Sequence, residues 1–540
     1  MKIIKKKITY AWMAFLAGFA ILMSSCSDIA KEHYDVSPEV SSRVTLWELI
    51  SQQPELSTFA GLLKSVSYDR ILSNDQAYTV WAPSNDALAG FDAGDSTAVL
   101  RLVTNHIARY IYTASSEVSN LPAIYMMSGK KMNFLRTGSN TYSINGIELV
   151  KKNLAAKNGI LHTLGSRLAF EPNIWQFMEA ADYDSIRSYM YSFNKREFIR
   201  SASKPIDYNE EGMIVYDSVF LDQNPLWYVY EGAKGVGWLN NEDSTYTMIM
   251  PNNAAWNDYY NRFVDLFKPD PKIDSPDSVQ RANMQYSIVQ DLVFRGAINP
   301  ASYGENDTLY STRLANIVNP MHLFSGIQPV AVSNGSVYPT SNLNYELYES
   351  CAKPVKVEAE WSVGRWQSES QDFSRIRSLR VNDVPNVSNN AYLEVTSVSS
   401  VAPAVSFELP NVLATGYDVH CVCLAQSYVE KITDTTKYVT RLQFEIQQWD
   451  RVTDKSSSAA WKTIQLFSDQ TTSQYVTQPE GISDILVTKN FKFPFANINE
   501  PDNVFRIRVS SALSRADGSS TYPRFVREMR IDYILLEASH

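Results

Sequence analysis

The chain has 540 residues, a formal net charge of −9, 44% apolar residues and 20% charged ones, the balance of an ordinary globular protein rather than a disordered or fibrous one. That length is more than one hydrophobic core organises, and it predicts three or four domains. Outside the N-terminus there is no basic stretch, which excludes nucleic acid as an expected partner.

In chain order, the first element is an address. Lys2, Lys5, Lys6 and Lys7 form a positive head, and Ala11–Met23 form an apolar run shorter than the roughly 20 residues a spanning helix needs. The run closes with Met23-Ser24-Ser25-Cys26. Head, run and small residues are the pattern of a secretory signal, and its end resembles the lipobox of bacterial lipoproteins. The resemblance implies cleavage before Cys26 and attachment of more than one acyl chain to it, as stable anchoring requires. Residues 1–26 are then the signal and 27–42 a polar tether. The expected location is the outer membrane, held by the N-terminal lipid and exposed at the cell surface. An ordinary signal peptide with a chance cysteine is the alternative.

From Val44 to Leu63, apolar residues recur at helical spacing with one break at Pro54. A junction follows that the chain contains twice: Thr79-Val80-Trp81-Ala82-Pro83-Ser84-Asn85-Asp86-Ala87-Leu88, and Thr247-Met248-Ile249-Met250-Pro251-Asn252-Asn253-Ala254-Ala255-Trp256. Each copy reads as a buried strand that stops at proline, which lacks the amide hydrogen to continue a ladder. Ser84 or Asn85, and Asn252 or Asn253, are placed to cap the next helix. Ala98–Tyr110 is expected to be helical, and Lys131–Phe170 alternates and turns at Gly138 and Asn145-Gly146 as strands do. Two glycine-led stretches close the copies, Asn158-Gly159-Ile160-Leu161-His162 and Asn334-Gly335-Ser336-Val337-Tyr338. Taken together these elements resemble the fasciclin-like domain, an α+β fold, over roughly residues 43–345. The family's Tyr-His pair is read at Asn105-His106, with the tyrosine lost, and at Gln290-Asp291 in the second copy. His162 is expected to be satisfied by backbone groups, and His322 to take a similar place later. The copies are read as 43–171 and 172–345.

The copies differ in length. Trp47 precedes Thr79 by 32 positions, but Trp175 precedes Thr247 by 72, which places an insertion of about 40 residues at about 196–242. Within it, Met213–Phe220 and Pro225–Tyr230 read as a strand pair, and Gly232-Ala233-Lys234-Gly235-Val236-Gly237 as a loop. Lys268–Asp277, acidic and carrying three prolines, reads as a surface excursion. After about Lys353 helical periodicity stops. Eight strand-like runs from Ala391 to Glu537 predict a β-sandwich over 354–540, of jelly-roll type. Val405–Pro410 with Gly416–Val419, and the closing Met529–Glu537, resemble paired strands of galactose-binding-like, carbohydrate-binding modules. The fold class is thus a multidomain α+β chain: tandem fasciclin-like domains, then an all-β sandwich.

No phosphate loop, nucleophile elbow or metalloprotease helix is present, so no enzyme, cofactor or metal is expected. Cys421 and Cys423 fall on one face of a strand, a poor geometry for a mutual bond, and Cys351 completes an odd count after Cys26; small buried thiols are the favoured reading. The remaining resource is aromatic surface, which packs on sugar rings while polar neighbours bond hydroxyls. The candidates are Trp227, Tyr228, Tyr230 and Trp238 in the insertion, and Trp361, Trp366, Trp449 and Trp461 in the sandwich, each to be weighed against a place in the core. The fasciclin resemblance implies adhesion or protein interaction, and the lipoprotein resemblance a glycan-capture or docking subunit of an outer-membrane importer. A purely structural envelope protein and an unrecognised glycoside hydrolase are the alternatives.

Overall fold

The computed structural model describes residues 43–115, 120–208, 214–217, 219–230, 234–367, 374–382, 384–397, 402–430, 438–466, 475–500, 502–513 and 524–539. Cys26 and the tether lie outside them. The chain divides into two compact units. One comprises residues up to Gln176 with Asn240–Ser244 and Val332–Asn334; the other comprises Phe177–Leu239, Thr245–Ala331 and Gly335–His540.

In the first unit the strand Tyr78–Pro83 is buried along its whole length. It pairs antiparallel with Ile107–Arg109 and parallel with Gly159–Leu164, within a seven-stranded sheet. Its alternation feeds two cores. Tyr78, Val80 and Ala82 join helical residues such as Phe59, Leu63 and Leu102 on one face, while Trp81 joins Phe134, Met132 and Leu164 on the other. A strand covered on both sides needs a continuous apolar run, which the sequence has here. The expected helix at Ala98–Tyr110 runs only over Ser96–Asn105, and the strand Ile107–Arg109 begins straight after it.

The same frame recurs in the second unit with matching register. Tyr246 faces Arg295 and Gly335 as Tyr78 faces Arg109 and Gly159. Thr79 donates its hydroxyl to the Tyr110 carbonyl (2.8 Å) and accepts from the Tyr112 amide; Thr247 does so with Gly296 (2.9 Å) and Ile298. After each proline the two polar residues divide the work. Ser84 and Asn252 accept from the amide three residues on, as caps do. Asn85 and Asn253 instead reach out of the junction to preceding helices, accepting from the Thr58 and Ser185 amides. Asn158 and Asn334 accept from the amides of Leu46 and Ile174, which open the two copies.

The pair read at Gln290-Asp291 is displaced by one. Trp81 donates to the His106 carbonyl and Ile249 to that of Leu292, so Asp291-Leu292 is the structural counterpart of Asn105-His106. His322 does not reproduce His162 either; Tyr338 occupies that register, opposite Ile249 as His162 lies opposite Trp81.

In the insertion, the described residues of Met213–Phe220 do not pair with Pro225–Tyr230. Lys195–Phe198 pairs with Phe220–Gln223, and Lys204–Tyr208 with Ile214–Asp217, while Pro225–Trp227 is a single 3₁₀ turn. Nor is Lys268–Asp277 a free excursion. Asp270 is buried and ion-paired to Arg451 (2.7 Å), which also holds Glu500 (2.8 Å), and the Lys268 carbonyl accepts from the Ala496 amide. All eight expected strands of the C-terminal part form, in two stacked sheets that also take in strands before Ala391. Phe407, Val405, Ile507, Val509 and Phe444 from one sheet, and Leu393, Val419, Cys421 and Ile531 from the other, are fully or almost fully buried. Cys421 and Cys423 are free thiols 3.7 Å apart, and burial pushes the free thiol of Cys351 up to about 12. None is an activated nucleophile.

Candidate functional site

The eight aromatic candidates separate by exposure. Trp227 and Trp461 are buried, at 7% and 6%. Trp366 and Trp449 are half-buried, each with its indole N–H bonded internally, to Glu408 Oε1 (3.0 Å) and the Thr453 carbonyl (2.7 Å). Cations lie over two of these rings, Lys455 on Trp449 (4.9 Å) and Arg506 on Trp461 (4.0 Å). Trp227 and Trp461 are therefore core residues, and the ring faces of Trp449 and Trp461 are already engaged. The exposed ones are Tyr228 (44%), Tyr230 (67%), Trp238 (43%) and Trp361 (58%). Three of those four lie together in the insertion.

Local sequence explains how the insertion presents them. Asn224 is wholly buried; its amide donates to Met190 O and Asn194 Oδ1 (both 2.9 Å), and its Oδ1 accepts from the Leu226 amide (2.8 Å). This cap starts the Pro225–Trp227 turn, which drives Leu226 and Trp227 into the core and leaves Tyr228 extended and outward. The following pass must come close, since the Val236 amide donates to the Leu226 carbonyl at 2.7 Å. Gly235 permits it: a Cβ there would sit 1.7 Å from the Tyr228 carbonyl oxygen. The described part of the glycine-rich stretch, 234–237, is thus a loop, as expected, with a packing reason for one glycine. Trp238 ends it with its ring 6.3 Å from that of Tyr228.

Beside these rings is a cavity of about 440 Å³, lined by Tyr189, Phe193, Tyr228 and Tyr230 and by the polar Lys195 and Gln223. Its volume and mixture of flat apolar walls with a few polar groups are those of a small-molecule pocket. Sequence reasoning found Tyr228 and Tyr230 but missed Tyr189, Phe193 and Lys195. The last three sit at the start of the insertion or before it, and no local pattern joins them to the two tyrosines.

The two histidines of the first repeat offer no chemistry at a surface. His106 bonds the Leu102 carbonyl (2.8 Å) and accepts from the Leu168 amide (2.9 Å); His162 bonds the Tyr112 carbonyl (2.9 Å). Burial holds both down at about 4. Carboxylates gather at Asp532, which burial pushes up to about 7 with Glu358 and Glu360 nearby and the Ser388 amide pulling the other way. Asp532 is fully enclosed and so cannot meet a substrate at the surface. Among the described residues no group of three His, Cys, Asp or Glu side chains is arranged to hold a metal ion, and no helix is long and apolar enough to cross a membrane.

Residues 54–169 match the Fasciclin domain family model. Protein sll1483 of a Synechocystis strain is 24% identical over 163 residues, which is 28% of this chain and 89% of that protein. Among solved structures, the FAS1 domain pair of the insect cell adhesion molecule Fasciclin I is 14% identical and covers 55% of this chain and 98% of its own, with a TM-score of 0.20. A CBM35 structure from Paenibacillus barcinonensis is also 14% identical, covering 34% and 98%, with a TM-score of 0.17.

Proposed function

We propose that this chain is a non-catalytic binding lipoprotein of the outer membrane, exposed at the cell surface, that captures glycan for a nutrient importer through the insertion of its second fasciclin-like domain. The observation that carries the reading is the cluster of Tyr228, Tyr230 and Trp238, exposed beside a cavity whose mainly apolar walls carry a few polar groups. Leaving large aromatics in water forgoes roughly 1.5–3 kcal/mol of burial for each, and contiguous patches of this kind mark binding surfaces. Flat rings edged by Lys195 and Gln223 suit a sugar, whose apolar face stacks while its hydroxyls bond the amide and ammonium. The Fasciclin domain match supports a binding rather than a catalytic role for residues 54–169. The lipid on Cys26 supplies the anchor, and importer components are the protein partners.

A glycan array probed with residues 27–540 tests this. Binding to at least one oligosaccharide class is expected, with Tyr228→Ala plus Tyr230→Ala weakening it tenfold or more at unchanged melting temperature. No glycan bound, but an envelope protein retained in a pull-down, would leave the purely structural reading in its place.

A further inference from the structure

The aromatic cavity has a neighbour along the Pro276–Val289 helix. Ala282 lines the first; Asn283, Tyr286 and Ser287 line a second cleft of about 500 Å³, and Lys234 lines both. The second cleft differs in charge. Its walls hold four cations, Lys234, Arg313, Lys353 and Lys356, and no carboxylate, in a chain whose net charge is −9.

Two of the cations are already matched: Lys353 with Asp291 (2.8 Å) and Lys356 with Glu358 (2.8 Å). Among the described residues neither Lys234 nor Arg313 makes an ion pair. The Lys234 ammonium lies 5.4 Å from the centre of the Tyr286 ring. Burial raises the Tyr286 phenol, and the neighbouring Arg313 opposes the rise through its charge and a loose side-chain hydrogen bond, the hydroxyl having no partner at normal hydrogen-bond geometry. A guanidinium and an ammonium with no carboxylate partner, set around one buried phenol in a cleft lined by further amides and hydroxyls, form a receptor for an oxyanion, because charge-assisted hydrogen bonds strengthen as water is excluded.

We infer that this cleft takes the anionic group of an acidic saccharide, a uronate carboxylate or a sulfate ester, while adjoining sugar rings of the same chain pack against Tyr228 and Tyr230. The inference rests on the glycan-capture reading above and narrows its substrate class. Arg313 supplies the planar fork that fits either oxyanion, Lys234 lines both cavities, and Tyr286 donates its hydroxyl.

The test is calorimetric titration of residues 27–540 with an oligogalacturonate, a chondroitin sulfate oligosaccharide and a neutral oligosaccharide of equal length. One acidic probe is expected to bind at least tenfold more tightly than the neutral one and to weaken severalfold between about 50 and 500 mM salt. Which acidic probe wins separates carboxylate from sulfate. Arg313→Ala, at a residue that lines only the second cleft, is expected to remove that preference, a loss of about tenfold to a hundredfold, and to leave neutral binding and melting temperature as they were. Arg313→Lys should retain part of it. Neutral binding equal to acidic binding, or an acidic preference that survives Arg313→Ala, overturns the inference while sparing the glycan reading. Absence of binding to all three probes and to the array overturns both.

Discussion

Beside the central strand of the first repeat, His162 stacks on Trp81 with ring centres 5.7 Å apart; at the same register the second repeat has Tyr338 opposite Ile249, packed against Phe324 at 4.8 Å. Where the first repeat buries His106, the second has Leu292; where the first has Asn105, the second has Asp291, held by Lys353, Ser311 and Ser350. Several residues that bond or admit the backbone are retained across the copies, Thr79 and Thr247, Asn85 and Asn253, Asn158 and Asn334, Gly159 and Gly335, although His106 and His162, which also bond backbone groups, are not. Those that fill space have changed. A frame of buried amides must be satisfied in one geometry, whereas a core accepts different shapes of similar volume. The second copy could therefore diverge and take on an insertion without losing its fold.

The largest effect is expected where the copies agree. Gly159 and Gly335 have φ of +154° and +144°, and a Cβ would lie 2.0 and 1.9 Å from the carbonyl oxygens of Tyr78 and Tyr246. Gly159→Ala and Gly335→Ala should each cost about 3–5 kcal/mol, read as similar falls in denaturant midpoint. A mild effect in only one copy would break the equivalence. A comparable loss, about 3–5 kcal/mol, is expected for Lys130→Met in the first unit, because it strands Glu242, whose 2.6 Å ion pair with Lys130 is buried on both sides. Glu242→Gln in that background should recover part of the loss.

Acid should separate the copies. A histidine held at about 4 when folded and near 6.5 when unfolded takes up its proton first in the unfolded chain. The stability it confers is present above pH 6.5, falls as pH drops, and is gone below about 4, up to roughly 3 kcal/mol for each histidine. The first repeat has two such groups, and the second has Leu292 and Tyr338 in their places. Hydrogen exchange between pH 7 and 4.5 should show the first repeat loosening before the second, and His106→Leu should reduce the difference. Asp532 in the sandwich has the opposite sign: with its folded value raised to about 7, the folded state holds the proton longer, so stability is gained as pH falls from about 8 towards 4. Asp532→Asn should remove that dependence, an effect comparable to that of one histidine and smaller than that of the two together.

The sequence was most readable where a local rule acts alone. Proline ended both junction strands, Asn145-Gly146 turned a hairpin with φ of 47° and 82°, and alternation located all eight expected sandwich strands. It failed where a distant partner decided the outcome. Prolines and acids made Lys268–Asp277 look exposed, yet Arg451, some 180 positions later, draws Asp270 inside. Trp227 and Tyr228 are adjacent and chemically alike, and only the Asn224 cap sends one inward. The basic cleft joins Lys234, Arg313 and Lys353, which no spacing connects.

Binding is expected at the insertion rather than at the first repeat. Hydrogen exchange of residues 27–540 with and without the tightest-binding oligosaccharide of the array measures this directly. Protection is predicted at Asn224–Trp238 and along Pro276–Val289, with the first repeat's Lys131–Ala156 strands unchanged. Protection confined to those strands, or to the sandwich, with the insertion exchanging as before, would contradict it.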